Sequence, residues 1–513
     1  MLEQEALWRL RLNRLCQRMF RILVLILMAI SSAGAYRNPL TLPKEAEGPG
    51  IADPGLLRWM GKYYLYSTKT GEPGIRCWES ADLVNWNFKG YCTGDEPVFA
   101  NHMAWSPTPL YFNGMFYLYV CGVDQKHKVF EADKPWGPFK CVNPDFLDVN
   151  TLDAVPFLDD DGQLYVFYAG WAGNAVQWRT CSSPTKADGR NQRLPACQFS
   201  VNPGNWWTEG PSLFKRNGIY YLTYCGNNWQ EDNYQIRAAK GRTIRAIRPQ
   251  DDKPLIAQLT GPWVATGCNS MVLGPDLKSL WNVYHCRKQG SWERRLCLDR
   301  LYIDPATKDL WTEAPTWNEQ RDPSLPDWQE DWSDSALTDE WVHIGGRYNI
   351  VKGEGVILSS GGKYGAIASA CETGPSFVAE FNIRVLDTEG DASTHACGVW
   401  LCDDNQGCLL VQIDVSARAL IISSTNPIKA ASPSTFLPKW LNPFVWHVLR
   451  IEKEGSRVQV YLDDMRKFDA QVAHGGGKFG LMTEGCKAEF GWCGFSNLVG
   501  SGIEKPKPPR DGT

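Results

Sequence analysis

The sequence has little net charge of either sign and lacks motifs that bind zinc or nucleic acid. Its 513 residues include 53 Lys and Arg and 57 Asp and Glu, which gives a formal net charge of −4. This balance gives no electrostatic reason to expect nucleic acid as a partner. No two cysteines have the C-x-x-C spacing of a zinc site. Beyond residue 35 no long helical period occurs, so we expect an all-β fold.

Residues 1–35 have the pattern of a secretory signal peptide. Five arginines form a basic leader, residues 20–30 are largely apolar, and residues 31–35 are small. The apolar run is shorter than the about 20 residues that span a bilayer, which favours a cleaved peptide over a signal anchor. We therefore expect a secreted, extracellular protein without membrane contact after cleavage, and a signal anchor is the alternative.

Cysteines, in contrast, are plentiful. One of the 17, Cys16, lies in the leader, ten lie from Cys77 to Cys297, and six lie from Cys371 to Cys493. An even number in each half predicts disulfide bonds within two separate domains, formed in an oxidising compartment.

A repeat with a period near 50 residues is the strongest pattern in the chain. A turn glycine precedes a Tyr- and Phe-rich strand at Gly61, Gly114, Gly162 and Gly218, and a weaker fifth copy begins at Leu280. The glycine spacings are 53, 48 and 56 residues. Three of these turns are Asn-Gly or Asp-Gly pairs, which are typical of tight hairpins. Because each β-propeller blade produces such a hairpin at this period, we expect five blades.

Composition and strand patterns divide the chain into five segments. We predict a signal peptide at 1–35, a five-bladed β-propeller at 36–316, a linker at 317–327, a β-sandwich at 328–501 and a disordered tail at 502–513. The sandwich is expected from alternating strands separated by turn residues. It resembles concanavalin- or laminin-G-like jelly rolls, which either bind glycan or support a neighbouring domain.

Three acidic residues occupy corresponding places in the repeat. Asp53, Asp153 and Glu209 lie eight or nine residues before the turn glycines of blades 1, 3 and 4. Corresponding positions on innermost strands converge around a propeller axis, so we expect these acids to meet in one depression. Clustered carboxylates raise one another's pKa, which a structural core has no use for. The alternative is that each acid caps a turn or pairs with an arginine of its own blade.

Hydrolysis of a glycoside needs a set of carboxyl groups of this kind. One protonated acid donates to the leaving oxygen, one carboxylate activates water, and a third can tune the pKa of the acid. Glu209 has the longer reach, and its neighbours Trp206 and Trp207 would raise its pKa, so it suits the general acid. Asp53 suits the general base, and Asp153 suits the pKa modulator.

Short motifs around these acids resemble glycoside hydrolase family 43, the group of arabinanases, α-L-arabinofuranosidases and β-xylosidases. The matching pieces are Gly-Ile-Ala-Asp-Pro-Gly at 50–55, Ala-Trp-Ser-Pro at 104–107, Leu-Asp-Ala at 152–154, Thr-Glu-Gly-Pro at 208–211 and Val-Tyr-His at 283–285. The resemblance covers residues 37–316. It implies an inverting mechanism with Asp53 as base, Glu209 as acid and Asp153 as pKa modulator, acting on arabinose- or xylose-containing plant-type glycans.

Two positions depart from the family pattern. Cys268 stands where family members often carry a histidine near the propeller axis, and it argues against an axial calcium ion. Ser106 and Thr108 flank a proline that many relatives follow with an acid. We assign no metal ligands and expect no required cofactor.

Substrate binding is assigned to Trp105, His285 and Arg295. Trp105 is the best candidate to stack on a sugar ring, and the alternative is a buried blade tryptophan. His285 contacts either sugar or a hydrogen-bond partner in the core. Arg295, or its neighbour Arg294, is a candidate to bind sugar hydroxyls and hold a carboxylate charged. The plain alternative for either arginine is a place on the surface.

The resemblance leaves several activities open. Exo-acting α-L-arabinofuranosidase is preferred on family grounds alone, and β-xylosidase or endo-arabinanase is the alternative. A propeller that binds glycan without catalysis is a further alternative. A kelch-like scaffold for protein partners is disfavoured by the signal segment and the cysteines. We expect a monomer.

Overall fold

The computed structural model describes residues 34–45, 50–170, 175–199, 208–403, 407–425, 428–429, 434–498 and 503–508. All but the last two residues of the expected signal peptide lie outside these ranges. The described residues form strands almost throughout, with two short 3-10 helices at Ala100–His102 and Ile244–Ala246. In these ranges no helix is long and apolar enough to cross a membrane.

Five antiparallel sheets form the first domain, and each sheet is one blade of a propeller. Their strands, in chain order, are Gly55–Trp59, Lys62–Tyr66, Arg76–Ser80 and Asn87–Tyr91 in blade 1; Met103–Phe112, Met115–Cys121, His127–Ala132 and Lys140–Asn143 in blade 2; Thr151–Leu158, Leu164–Gly170, Val176–Ser183 and Lys186–Arg193 in blade 3; Thr208–Arg216, Ile219–Gly226, Gln235–Gly241 and Arg248–Pro249 in blade 4; and Trp263–Leu273, Leu280–Lys288, Arg294–Ile303 and Leu310–Trp311 in blade 5. Two short strands, Lys69–Thr70 and Ile256–Ala257, pair with blades 2 and 4. The prediction of an all-β protein with five blades is confirmed.

The first strand of each blade is its inner strand, and the five inner strands contact one another in a closed ring. Aromatic and aliphatic side chains fill the spaces between neighbouring blades. Trp59 of blade 1 packs edge to face on Phe116 of blade 2, with ring centroids 5.3 Å apart. Trp281 of blade 5 and Leu65 of blade 1 share another buried cluster, which closes the ring.

Segments at both ends of the described chain contact blade 5, and at the first of them the backbone N–H of Leu40 donates to the carbonyl of Leu296 at 2.7 Å. Ala35–Tyr36 pairs with Gln320–Arg321, so the segment expected to be a linker contains a strand. The backbone N–H of Ile303 donates to the carbonyl of Ile503 at 3.0 Å. Residues 503–508 thus lie against the propeller, which differs from the disordered tail expected from residue 502.

Two antiparallel sheets pack face to face in the second domain, around one apolar core. In spatial order, one sheet contains Arg347–Val351, Gly355–Ser359, Cys486–Asn497, Phe377–Thr388, His447–Glu454, Arg457–Leu462, Met465–Val472 and Ile428–Lys429, with Trp328–Glu330 paired to Cys486–Asn497, and the other contains Trp341–Gly345, Tyr364–Thr373, Gly477–Glu484, Ala396–Asp403, Gly407–Asp414, Ala419–Ser424 and Ser434–Phe436. The predicted β-sandwich is confirmed. Side chains on the outer face of its first sheet, among them Glu380 and Glu452, contact the propeller.

The sandwich packs on the hairpin turns of the propeller. Asn113 donates from its side-chain amide to the carbonyl of Trp440 at 2.9 Å, and the indole N–H of Trp440 donates to the carbonyl of Gly162 at 3.0 Å. Arg450 donates to the carbonyl of Leu277 at 2.6 Å. These turns follow the inner strands, so the sandwich covers the face opposite to the one where the inner strands begin.

Cysteine pairing differs from the expectation. All ten propeller cysteines, each within the described ranges, are free thiols, and nine of them are buried. The one disulfide bond among the described residues joins Cys402 to Cys408 in the sandwich. Burial explains the difference, since a thiol behaves as a small apolar side chain and fills the spaces between aromatic neighbours.

Candidate active site

A β-bulge interrupts the start of each inner strand and positions the candidate site. In blades 2 to 5 the pairing register shifts at this point. In blade 1 the extra residue comes just before the strand, where the N–H of Thr68 donates to the carbonyl of Ala52 and Gly55 pairs with Tyr66. One residue of each bulge has a positive φ, and these residues are Asp53 (51°), Ser106 (49°), Asp153 (54°), Gly210 (56°) and Cys268 (38°). A positive φ is strained for residues other than glycine, and such strain clusters at functional sites.

The bulges show that the alignment of the three acids on the turn glycines is off by one residue for Glu209. Asp53 and Asp153 occupy the bulge position itself, whereas Glu209 lies one residue before it, as Trp105 does in blade 2. The three carboxylates therefore do not share one repeat position. Because neighbouring residues of a strand face opposite ways except at a bulge, the offset lets Glu209 face the same cleft from a different direction.

Asp53 is held by groups from two blades. The hydroxyl of Thr68 donates to Oδ2 at 2.5 Å. The guanidinium of Arg294 contacts both carboxylate oxygens, at 3.2 and 3.3 Å. Burial opposes ionisation of this carboxyl, but the charge of Arg294 and further favourable contacts outweigh it and lower its pKa. Asp53 is thus a carboxylate that stays ionised in a buried place.

His285 contacts both the backbone and the side chain of Asp53. The backbone N–H of Asp53 donates to Nδ1 of His285 at 3.2 Å, and the same nitrogen lies 3.4 Å from Oδ1. Burial, together with the nearby charge of Arg294, lowers the pKa of His285 to about 3. The ring is therefore neutral near pH 7 and can accept this hydrogen bond. This buried contact matches the core alternative for His285, and its predicted contact with sugar stays a prediction.

Asp153 occupies the bulge position of blade 3 that corresponds to Asp53 in blade 1, but its pKa shifts in the opposite direction. The backbone N–H of Gly210 donates to its Oδ2 at 2.8 Å, which joins Asp153 to the residue after Glu209. Burial, and then the negative charge of Asp53, raise the pKa of Asp153 to about 7. Asp153 therefore holds a proton over much of the acidic range, where Asp53 does not.

Glu209 completes the group of acids. It is only 7% exposed, and the hydroxyl of Tyr234 donates to its Oε1 at 2.7 Å. The same hydroxyl lies 3.2 Å from Sγ of Cys268, and Cys268 in turn contacts Asp53. The structure therefore brings the three acids of blades 1, 3 and 4 together at one end of the ring. Trp206 and Trp207, the neighbours predicted to raise the pKa of Glu209, lie outside the described residues.

Of the residues predicted to bind substrate, Trp105 lies near the cluster of acids and Arg295 does not. Trp105 is half-buried beside Leu152, next to the bulge of blade 3, so it lies at the rim of the cluster. Arg295 points away from Asp53 and pairs with Glu45 and with Glu293. Its neighbour contacts Asp53 instead, because successive side chains of a strand alternate between its two faces.

Sequence reasoning missed two residues of the site and left a third undecided. Arg294 is only the alternative to Arg295 in the sequence, and the strand's facing decides between them. Thr68 lies two residues after the second strand of blade 1, and Tyr234 directly precedes the third strand of blade 4. No motif or repeat position marks either residue. A search for polar residues at the ends of those strands nearest the bulges would have found Thr68.

The fold and these groups define a class of protein. Buried carboxyl groups whose surroundings drive their pKa values apart are typical of acid–base catalysis on glycosides. The family model of glycosyl hydrolases family 43 matches residues 49–307. The chain belongs to this family.

Several known proteins are similar to the chain. It is 34% identical over 264 residues to the extracellular exo-α-(1→5)-L-arabinofuranosidase of Cellvibrio japonicus, covering 43% of this chain and 74% of that protein. It is 27% identical over 208 residues to a putative β-xylosidase of Xylanibacter ruminicola, covering 38% of this chain and 37% of that protein. The chain thus spans little more than a third of the length of this second relative.

Solved structures are also similar. A thermostable family-43 glycoside hydrolase is 25% identical, with a TM-score of 0.49 and coverage of 56% of this chain and 99% of that chain. A Bacteroides ovatus protein from a xyloglucan utilisation locus is 17% identical, with a TM-score of 0.47 and coverage of 91% of this chain and 100% of that chain.

Proposed function

We propose that the protein is an inverting glycoside hydrolase that removes terminal α-L-arabinofuranose from plant-type glycans outside the cell. The observation that carries this proposal is the buried cluster in which Asp53 pairs with Arg294 while Asp153 accepts the N–H of the residue after Glu209. In this cluster the surroundings lower the pKa of Asp53 and raise that of Asp153. Hydrolysis near neutral pH needs both an ionised carboxylate as general base and a protonated carboxyl group as general acid.

In the proposed reaction Asp53 takes a proton from a water molecule that attacks the anomeric carbon. The bond from that carbon to the leaving oxygen breaks, and the leaving oxygen takes the proton of Glu209. Asp53 and Glu209 are linked through Cys268 and Tyr234. An inverting mechanism requires the two carboxyl groups to stand far enough apart to leave room for water between base and sugar. Solvent exchange then returns the proton from Asp53 and reprotonates Glu209.

Arg294 and His285 act as positioning residues in this proposal. The guanidinium keeps Asp53 charged, and the neutral imidazole fixes the backbone of the bulge. Asp153 holds its proton beside the amide of Gly210 and so adds no second negative charge next to Glu209.

The sugar preference is supported by the similarity to the exo-acting arabinofuranosidase of Cellvibrio japonicus. β-Xylosidase is the second candidate, because the relative from Xylanibacter ruminicola carries that name. Aryl α-L-arabinofuranoside and aryl β-xyloside, compared at equal concentration, separate the two. Faster release from the xyloside would replace the first candidate by the second.

The role of Glu209 is tested by Glu209→Gln. We expect turnover to fall by about 10²–10⁴-fold while sugar binding is kept, since an amide cannot supply the proton. NMR of the first product formed by the native chain should show an inverted anomeric configuration. Retained configuration would contradict water activation by Asp53, and unchanged turnover in the variant would remove Glu209 from the mechanism. Sugar binding by the native chain without any hydrolysis would indicate a glycan-binding propeller instead.

A further inference from the structure

Three different metal-binding side chains meet at the axial end of the propeller. The carboxylate of Asp53, the thiol of Cys268 and the imidazole of His285 place one donor atom each within 4.8 Å of the others. Cys268 and His285 are buried, and Asp53 is nearly so. The three residues come from blades 1 and 5, which pack together, so the fold holds the set in place.

The chemistry of this set does not fit calcium. Calcium takes six to eight oxygen ligands, whereas a thiol and an imidazole replace oxygen at two of the three positions here. One carboxylate, one imidazole and one sulfur are instead a donor set for zinc and similar borderline-soft divalent ions. Cys268 therefore changes the class of cation that the axial position would accept.

We propose that Asp53, Cys268 and His285 form a binding site for a divalent cation of the zinc class, and that an ion bound there blocks hydrolysis by occupying the carboxylate of Asp53. The blocking of hydrolysis rests on the proposed function, in which Asp53 is the base. The binding of the ion does not depend on it.

The spacing of the donors is close to what zinc requires. Zinc binds nitrogen and oxygen at about 2.0–2.1 Å and sulfur at about 2.3 Å, so neighbouring donors of a tetrahedral site lie about 3.3–3.8 Å apart. Oδ1 of Asp53 and Nδ1 of His285 are 3.4 Å apart. The thiol must move by about 1.5 Å or less to complete the set, because all three donors lie within 4.8 Å of one another.

Two neighbours limit how tightly the ion binds. The guanidinium of Arg294 lies 3.2 Å from Oδ1 of Asp53 and repels a cation. Nδ1 of His285 accepts the N–H of Asp53, and a metal at this nitrogen displaces that hydrogen bond. The ion is therefore bound reversibly, more weakly than in a structural zinc site with no competing positive charge.

Cobalt(II) is the probe for binding, because a bound thiolate gives a charge-transfer band that does not depend on enzyme activity. The purified full chain, treated with a chelator and dialysed, is titrated with cobalt and then with zinc as competitor. We expect the band to saturate at one ion per chain. In Cys268→Ser we expect the band to vanish and the zinc Kd to rise by at least about tenfold.

Cys225→Ser is the matched control, since this neighbouring buried thiol contacts the backbone N–H of Cys268 at 3.0 Å without belonging to the donor set. It should keep the band. Three results would overturn the site. The cobalt band could persist in both Cys268→Ser and Cys268→Ala, it could be lost only in Cys225→Ser, or it could be absent from the native chain. His285→Asn, checked for native thermal unfolding, should weaken zinc binding even if the cysteine variants do not fold.

A second arm tests the blocking of hydrolysis. Zinc should inhibit arabinoside hydrolysis by the native chain, and a chelator should restore it. If the cobalt band forms as expected but no glycoside is hydrolysed, the proposed function fails and the metal site stands. Full activity with zinc bound at one ion per chain would overturn the blocking role of the site.

Discussion

The two ends of the inner strands differ in what they do. At the end where the strands begin, bulges with positive φ hold Asp53 and Asp153 in a buried cluster of ionisable groups. At the other end, the hairpin turns pack on the sandwich. Gly61, with φ 71°, lies so close to the indole of Trp492 that an added Cβ would stand 2.4 Å from it. Chemistry and stability are thus placed at opposite ends of the same strands.

The difference lies in the kind of interaction. The first end carries strain and opposed charges, which give groups with shifted pKa values at a cost in stability. The second end carries apolar contacts and hydrogen bonds of the turns, such as those of Asn113 and Tyr111 to the sandwich. Changes at the two ends should therefore separate activity from folding.

The largest effect is expected from Asp53→Asn. The amide cannot accept the proton of water, so kcat should fall by about 10²–10⁴-fold in steady-state assays. Asp276→Asn is the matched change at the opposite end, where Asp276 accepts the hydroxyl and N–H of Ser279. This second variant should unfold at a lower temperature and keep its kcat. If Asp53→Asn turned over substrate as fast as the native chain, the assignment of catalysis to this end of the inner strands would be wrong.

A large effect on stability is expected from Trp492→Ala. The indole is 6% exposed and the guanidinium of Arg58 lies over it, 5.2 Å from the ring centroid. Removing a buried tryptophan costs about 3–5 kcal/mol, which urea unfolding of the full chain measures. Below the unfolding transition, KM and the pH profile should be unchanged. A shifted pH profile would mean that the sandwich reaches the catalytic end.

Asp153→Asn sharpens the comparison through pH. The pKa of Asp153 rises from 3.8 to about 7 on folding, so between these values the folded state holds a proton that the unfolded state lacks. Stability therefore falls as pH rises through this window. The uncharged amide escapes this loss while it can still accept the N–H of Gly210. Its Tm, by calorimetry, should exceed that of the native chain above about pH 7 and match it below about pH 4.

Equal Tm differences at both pH values would show that folding does not raise the pKa of Asp153. Asp160→Asn is a suitable control, since Asp160 is a carboxylate at the sandwich side that accepts the N–H of Arg466. It should show no stabilisation at high pH.

The smallest effect is expected from Tyr111→Phe. This change removes one hydrogen bond, from the tyrosine hydroxyl to the carbonyl of Trp446 at 2.6 Å. It should lower the free energy of unfolding by about 1 kcal/mol and leave kcat and KM unchanged. A loss of activity without a loss of stability would contradict the assignment of this end to folding alone.

The sequence predicts the blades better than the site. Glycine turns before aromatic strands repeat because every blade needs the same hairpin, so the repeat alone gives the number of blades as five. The bulge offset of Glu209 is not predictable in this way, since a β-bulge leaves no fixed residue pattern. The choice of Arg294 over Arg295 depends on which side of the strand faces the axis. An error of one residue in the predicted register exchanges the two arginines.

The prediction of disulfide bonds is confirmed in the sandwich by Cys402–Cys408 and is wrong for the propeller. An even count is compatible with disulfide bonds, but the propeller thiols are buried between blades as free side chains, and a count contains no information on burial. Cys268 stands out in the sequence only as a departure from the family pattern. Its contact with Tyr234, 34 residues earlier in the chain, depends on how blades 4 and 5 pack together.

The central claim is that Asp53 is ionised and Asp153 protonated at matching bulges. Infrared difference spectra of the native chain against Asp153→Asn report the protonated carboxyl of Asp153 directly. A carboxylic C=O band that is present at about pH 5 and lost by about pH 9 is the result that this account predicts. No such band at about pH 5 would show that both aspartates are charged, and would contradict it.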